Sequence, residues 1–206
     1  MTPLSQILQH KIVAILRGVN PKDVLNIASA LHEGGIQIIE VTLNSDEALS
    51  LIEKLSAAFQ NRMLVGAGTV LTVKDARNAV AAGASFLISP TLDLEVIKIA
   101  KDNSVISIPG AYTPTEVFTA WKNGADIIKV FPAPGPDYIK NILAPLNQIP
   151  LMPTGGIDTQ NIAAYKNAGA SAYGIGSSLV NNKEEVNELY LQNLIAKAKR
   201  FITAIK

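Results

Sequence analysis

There is no cysteine in the 206 residues, which excludes disulfides, thiolate metal sites and a thiol nucleophile together. Histidine is nearly as scarce. His10 and His32 are the two present, each in a helix-like stretch and far from a second ligand at coordinating spacing, so no metal site is expected. Excess charge is missing too: 18 Lys and Arg stand against 17 Asp and Glu, a net charge of +1 with no long like-charged run. Nothing here fits a phosphodiester backbone, and no nucleic-acid partner is expected. No segment approaches the roughly 20 apolar residues that cross a bilayer, and the first eleven residues, MTPLSQILQHK, have no basic stretch leading into a long apolar one. The expectation is a cytoplasmic protein with no membrane partner.

What is present is enough apolar material for a large core: 48% of residues are hydrophobic and 17% charged, and one domain over 1–206 is the natural division. Eight short runs rich in β-branched residues recur: IVAIL (12–16), IQIIEVT (36–42), MLVGA (63–67), SFLIS (85–89), VISI (105–108), DIIKVF (126–131), PLMP (150–153) and SAYGI (171–175). Helical patterns lie between and after them, at 21–33, 46–59, 73–82, 93–102, 114–123, 136–147, 159–168 and 185–205. This alternation predicts parallel strands, and eight units without an insertion predict an α/β single-domain (β/α)8 TIM barrel, preceded by a short N-terminal helix. A doubly wound open sheet is the competing architecture. It usually carries a dinucleotide-type turn after its first strand, and LRGVNP (16–21) is not one.

A weak repeat favours the barrel. GIQIIE (35–40), GASFLI (83–88), GADIIK (124–129) and GASAYG (169–174) each set a helix-ending glycine five residues before a late strand position. These are the even strands, and alternate strands of a barrel fill its interior in layers. Glu40, Ile88, Lys129 and Gly174 are thereby predicted to point inward at one height. Lys129 is embedded in Ile127, Ile128, Val130 and Phe131, where an unpaired ammonium is costly. Snorkelling to solvent is the bland alternative, and Lys11, which precedes its strand at the far end, shows what that looks like. Lys129 lies instead toward the carboxyl end, where barrel enzymes react. A desolvated lysine there becomes a nucleophilic amine suited to condensing with a ketone. For Glu40 the choice is between a structural ion pair with Lys129 and a general acid/base.

Two glycine-rich loops close the chain: Thr154-Gly155-Gly156 after the seventh strand, and Gly174-Ile175-Gly176-Ser177-Ser178 after the eighth. Glycines let backbone amides approach an anion, and a short helix starting at Ser177 is expected to aim its amides at the same spot. This is the usual barrel location for a phosphate.

The segments IIEVTL (38–43), VGAGTV (65–70), ISP (88–90), IPGAYTPTE (108–116), KVFPA (129–133), PTGGI (153–157) and GIGSSLV (174–180) resemble, in order and spacing, the 2-keto-3-deoxy-6-phosphogluconate and 4-hydroxy-2-oxoglutarate aldolases. The resemblance spans essentially the whole chain. It implies a cofactor-free class I aldolase that cleaves a phosphorylated keto acid into pyruvate and glyceraldehyde 3-phosphate, with 4-hydroxy-2-oxoglutarate as a further substrate, and it implies a homotrimer. It assigns Lys129 as the Schiff-base lysine and Glu40 as the proton-transferring carboxylate. Arg17 and Thr69 match positions at the pyruvate carboxylate, Pro90 and Phe131 the pocket walls, and Thr154, Gly155, Gly156 and Ser177 the phosphate end. One position departs from the gluconate-type pattern. Where those enzymes usually carry arginine four residues after the glutamate, this chain has Asn44, which, with Arg17 in ILRG (15–18), is similar to the branch acting on the galactonate epimer. The epimer stays open. So do two other readings, a phosphate-binding barrel isomerase or synthase without an imine, and a catalytically silent oligomeric barrel; trapping with pyruvate and borohydride separates the first, an aldol-cleavage assay the second.

Overall fold

The computed structural model describes residues 1–206. Helix α1 (Pro3–His10) opens the chain, its first amides met by the Thr2 hydroxyl, which accepts from Ser5 N. Strand and helix then alternate: β1 (Ile12–Leu16), α2 (Val24–Glu33), β2 (Ile38–Thr42), α3 (Ala48–Ala58), β3 (Leu64–Gly68), α4 (Val73–Ala81), β4 (Phe86–Ile88) and α5 (Leu94–Asp102). They continue as β5 (Ile106–Ile108), β6 (Gly110–Ala111), α6 (Pro114–Lys122), β7 (Ile128–Val130), α7 (Pro136–Leu143), β8 (Leu151–Pro153), α8 (Ile162–Asn167), β9 (Tyr173–Ile175) and α9 (Glu188–Ala204). Every strand pairing is parallel, in a curled arrangement of two hydrogen-bonded groups ordered β5-β4-β3-β2-β1-β9 and β6-β7-β8. No helix is long and apolar enough to cross a membrane.

All eight expected strands are present at their expected places. Four expected helices start or stop three or more residues inside their patterns, each for a local reason. The pattern at 21–33 opens as a 3-10 turn over Pro21–Asp23, where the Asn20 side chain accepts from Lys22 N at 3.1 Å, and becomes α-helical at Val24. The pattern at 136–147 stops at Leu143, because Pro145 has no N–H to continue the ladder. The pattern at 159–168 begins only at Ile162, because the Asp158 carboxylate accepts from Gln160 N at 2.8 Å and Asn161 N at 3.1 Å, an alternative to the first helical turn. The last helix starts at Glu188 and not at 185, where the Asn187 side chain caps Tyr190 N. Strand β6 was not expected. Pro109 interrupts the fifth run, which resumes at Gly110 to pair with β7.

The four repeat glycines, Gly35, Gly83, Gly124 and Gly169, all have φ between 89° and 95°, the left-handed conformation that ends a helix cheaply only at glycine. The residue after each donates back five residues: Ile36 to Leu31, Ala84 to Ala79, Ala125 to Ala120 and Ala170 to Tyr165. Each even strand is thereby launched in the same phase.

That phase decides which side chains face the concave side. Val13, Ile38, Leu64, Phe86, Ile88, Ile108, Ile127, Met152 and Ala172 form one apolar cluster inside the curl, sealed by Ile7 of α1. The intervening residues, such as Ile39 and Val41 on β2 and Ile128 and Val130 on β7, pack in a second cluster of 51 residues with the helices. With a two-residue period, Glu40 and Lys129 follow Ile38 and Ile127 onto the inner face. The predicted layer is observed.

Glycine inside the curl makes room for bulk opposite it. A methyl on Gly66 would overlap the fully buried ring of Phe86. Gly66→Ala is therefore expected to lower the unfolding free energy by about 1–3 kcal/mol, the cost of overpacking a close-packed core. A urea midpoint equal to the parent's would show that Phe86 is free to move aside.

Candidate active site

Lys129 and Glu40 occupy the inner face above the apolar cluster and are 3% and 1% exposed. They do not form a direct ion pair; the molecule's ion pairs are Lys98–Asp102 and Lys101–Asp126. Neither carboxylate oxygen of Glu40 has a hydrogen-bond partner, and its carboxylate lies over Gly68, where any side chain would overlap it. Lys129 Nζ stands 4.9 Å from the centroid of the Phe131 ring, a cation–π distance. Burial dominates both titrations. It raises the Glu40 pKa, opposed by the fields of Lys129 and Arg17, and it lowers that of Lys129, opposed by Glu40 and assisted by Arg17. Desolvation penalises the charged form of each, so the amine keeps a larger free-base fraction and the carboxyl stays protonated to higher pH. That combination is a nucleophile beside a proton donor.

Beside this pair opens a cleft of about 250 Å³. Six predicted site residues line it: Arg17, Phe131, Thr154, Gly155, Gly156 and Ser177. Its floor is made where β8 and β9 meet. Thr154 bridges to Gly174, and its side chain fills the space that a side chain at Gly174 would need. The amides of Gly155, Gly156, Ile157, Gly176, Ser177 and Ser178 have no partner in the chain. Two of the loop carbonyls are engaged within the chain, Gly156 O by Asn161 Nδ2 at 2.8 Å and Ile157 O by Ser178 Oγ at 2.5 Å. Positive φ at Gly155 and Gly156, 96° and 69°, folds the loop so that donors gather without carbonyls among them.

The expected helix at Ser177 is absent. Residues 177–179 form a single turn in which Leu179 N and Val180 N both donate to Gly176 O. It goes no further because Asn181 accepts from Lys183 N at 3.1 Å, a competing local turn. Free amides are presented all the same, by a turn in place of a helix end.

A model of the family described as KDPG and KHG aldolase matches residues 4–193. The chain belongs to this family. It is 33% identical to the 2-dehydro-3-deoxy-6-phosphogalactonate aldolase of Escherichia coli strain K12 over 198 residues, 95% of this chain and 96% of the relative. To the 2-dehydro-3-deoxy-phosphogluconate aldolase of Haemophilus influenzae it is 34% identical over 167 residues, 79% of this chain and 77% of that one. Among solved structures, the native KDPGal structure superposes with a TM-score of 0.88 at 32% identity, covering 94% of this chain and 93% of the other. The KDPG aldolase of Legionella pneumophila, with pyruvate captured as a covalent carbinolamine, superposes at 0.80 and 28% identity, covering 100% and 97%.

In this aldolase-family chain the remaining predicted residues stand on neighbouring loops at the same strand ends, outside the cleft wall. Asn44 is exposed in the turn after β2. Thr69 follows β3 with φ +57°, a conformation a β-branched residue adopts only under constraint. Pro90 is half-buried beyond β4, its carbonyl packed where Gly110 leaves no room for a side chain. His10 and His32 lie on α1 and α2, His32 beside Phe59 with ring centroids 6.5 Å apart. Sequence reasoning missed Ile15, Ile157, Val180 and Asn182, which also line the cleft. Ile15 was legible from strand alternation, two residues after inward Val13; Asn182 carried no local signal, because what it touches is 165 residues away.

The raised pKa of Glu40 makes a stability prediction with a definite sign. Between the ordinary carboxyl value of 4.5 and the higher folded value, the native chain holds a proton the unfolded chain has lost, so stability falls as pH rises through that window. Lys129 acts in a different window, between its lowered folded value and the ordinary 10.5, where the unfolded chain holds the extra proton and stability rises with pH. Glu40→Gln is expected to remove the decline above pH 4.5 and to leave the alkaline rise. Urea midpoints across pH read it, and identical acid-side slopes in parent and variant would mean that the carboxyl is not desolvated.

Proposed function

We propose that this chain is a metal-independent class I aldolase that cleaves a 2-keto-3-deoxy-6-phospho sugar acid to pyruvate and glyceraldehyde 3-phosphate, through a Schiff base on Lys129. The observation that carries the reading is the buried, unpaired Lys129–Glu40 couple set beside a cleft walled by free amides. The neutral Lys129 amine adds to the C2 ketone to give a carbinolamine, and Glu40, protonated, supplies the proton that lets water leave. The resulting iminium accepts the electron pair of the C3–C4 bond as Glu40 removes the C4 hydroxyl proton, and the aldehyde departs. Glu40 returns that proton to C3 of the enamine, and hydrolysis frees pyruvate and the amine. The iminium nitrogen does the electron-withdrawing work that a divalent ion does in the other aldolase class.

The other assignments follow from position. Arg17 and Thr69 take the carboxylate, Pro90 and Phe131 wall the pyruvate, and Thr154, Gly155, Gly156 and Ser177 take the phosphate on neutral donors. The same reading holds 1–206 to be one barrel domain: Pro109 joins β5 to β6, and the Thr154–Gly174 bridge joins β8 to β9, which supports closure of the two strand groups into one eight-stranded ring. A cytoplasmic homotrimer belongs to the proposal. Exposed Leu71, Leu94, Tyr112 and Phe118 offer apolar surface for contact between copies.

Borohydride reduction in the presence of pyruvate is the deciding experiment. The parent chain should take up one pyruvate on Lys129, while Lys129→Met should lose both labelling and turnover and stay folded, since removal of a buried charge does not weaken a core. Label on another lysine, Lys11 for example, sinks the assignment.

Asn44 bears on the epimer. A neutral amide donates and accepts, so it holds a hydroxyl without requiring a charged partner, and cleavage of the galactonate-derived epimer is expected to be at least comparable to that of the gluconate-derived one. Asn44→Arg should shift the ratio of kcat/KM values toward gluconate by about 1–3 kcal/mol, the scale on which pocket contacts separate similar substrates. A ratio unmoved by the substitution removes Asn44 from the specificity argument.

A further inference from the structure

Arg17 follows β1 as an exposed residue, and no hydrogen bond or ion pair holds its guanidinium. Its backbone is held on both sides. Gly18 N donates to Ser45 Oγ at 2.8 Å, and Ser45 Oγ lies 2.9 Å from the hydroxyl of Thr42, a buried residue at the end of β2. The turn carrying Ser45 is closed by its own amide, which donates to Thr42 O at 2.9 Å. From the opposite side, Asn182 Nδ2 donates to Arg17 O at 2.9 Å. Gly18 has φ +59°, and a Cβ there would sit 2.9 Å from Asn182 Nδ2, so glycine is required both by conformation and by the approach of the asparagine.

We infer that Ser45 and Asn182 are positioning residues which clamp the Arg17–Gly18 peptide between the β2–α3 turn and the β9–α9 loop, and so aim Arg17 at the substrate carboxylate. An arginine carries a long rotatable stem, and its planar fork recognises a carboxylate only from a restricted set of orientations. With the guanidinium unheld, the backbone beneath it sets its range. Ser45 refers that backbone to β2, the strand bearing Glu40, through Thr42. Asn182 refers it to the loop that follows the phosphate-end amides, and it lines the cleft itself. The carboxylate contact and the proton-transferring group thus share one rigid frame. Neither residue needs to touch the reacting atoms.

This inference rests on the carboxylate role proposed for Arg17, and the experiment separates the two. In the condensation of pyruvate with D-glyceraldehyde 3-phosphate, Ser45→Ala and Asn182→Ala should each raise KM for pyruvate roughly two- to tenfold, the worth of one net hydrogen bond. For Ser45→Ala the KM for the aldehyde and kcat should stay within about twofold of the parent, and Ser45→Thr, which keeps the hydroxyl, should restore the pyruvate KM. In an Arg17→Ala background, both substitutions should add nothing. Penalties that add in full to that of Arg17→Ala overturn the clamp and leave Arg17's role intact. A pyruvate KM unchanged in Arg17→Ala itself overturns both. Loss of fold in one single variant leaves the other, on a different loop, to decide by the same cycle.

Discussion

Two ionisable groups withdrawn from water without being joined to each other set the terms for everything around them. Each buried ion costs several kcal/mol unless paired or neutralised, and Lys129 and Glu40 are near enough to feel one another's field while making no direct pair. A direct ion pair would lower the energy of both and disarm both, the amine held protonated and the carboxylate held ionised. Separation keeps each near the form that chemistry on a ketone needs. The glycines are part of the same arrangement. Gly68 gives the Glu40 carboxylate a place to lie, and Gly174 leaves Thr154 its room, so the charged layer has space above it while the layer below is packed solid with Ile38, Phe86 and Ile127.

In the proposed reading the substrate's two anionic ends meet different chemistry. A guanidinium near the amine assists in lowering the Lys129 pKa, so under the proposed assignment one cation serves both carboxylate binding and nucleophile activation. The proposed phosphate end offers six free amides and hydroxyls, with Gly156 O and Ile157 O engaged by Asn161 and Ser178. Backbone dipoles held in place lose little on binding and need no counter-ion.

Much of this was legible before any coordinates. The even-strand repeat worked because a left-handed glycine closing each helix fixes the phase in which the next strand starts, and phase is what sends Glu40 and Lys129 inward with Ile38 and Ile127. Strand positions were readable for the same reason: parallel strands covered on both faces are short apolar runs with sharp ends. Helix ends are less legible where one side chain decides them, as Asp158, Asn187 and Pro145 do, and the turn at Ser177 looks like a helix in sequence because GSSLV has the composition of a helix start but is followed by an asparagine that competes for the amides. Ser45 and Asn182 were not legible at all. A serine 27 residues from its partner and an asparagine 165 residues from its own carry no period, no spacing and no local motif; only closure of the chain brings them to Gly18 and Arg17.

The orphaned carboxylate remains the most informative atom group, because a native chain seldom leaves a buried polar group without a partner and does so where function requires it. Gly68 leaves the carboxylate its room by carrying no side chain, and the layer below is apolar. In the proposed mechanism Glu40 gains hydrogen bonds from the reacting molecule, first from the carbinolamine hydroxyl and then from the hydroxyl whose proton is lost in cleavage. Contacts that form only as the proposed reaction proceeds give differential stabilisation of the steps that need them. The energy that folding gives up at Glu40 and Lys129 is offset below and around them, by an inner cluster sealed with Ile7 and an outer one of 51 residues, so stability and chemistry are carried on opposite ends of the same strands.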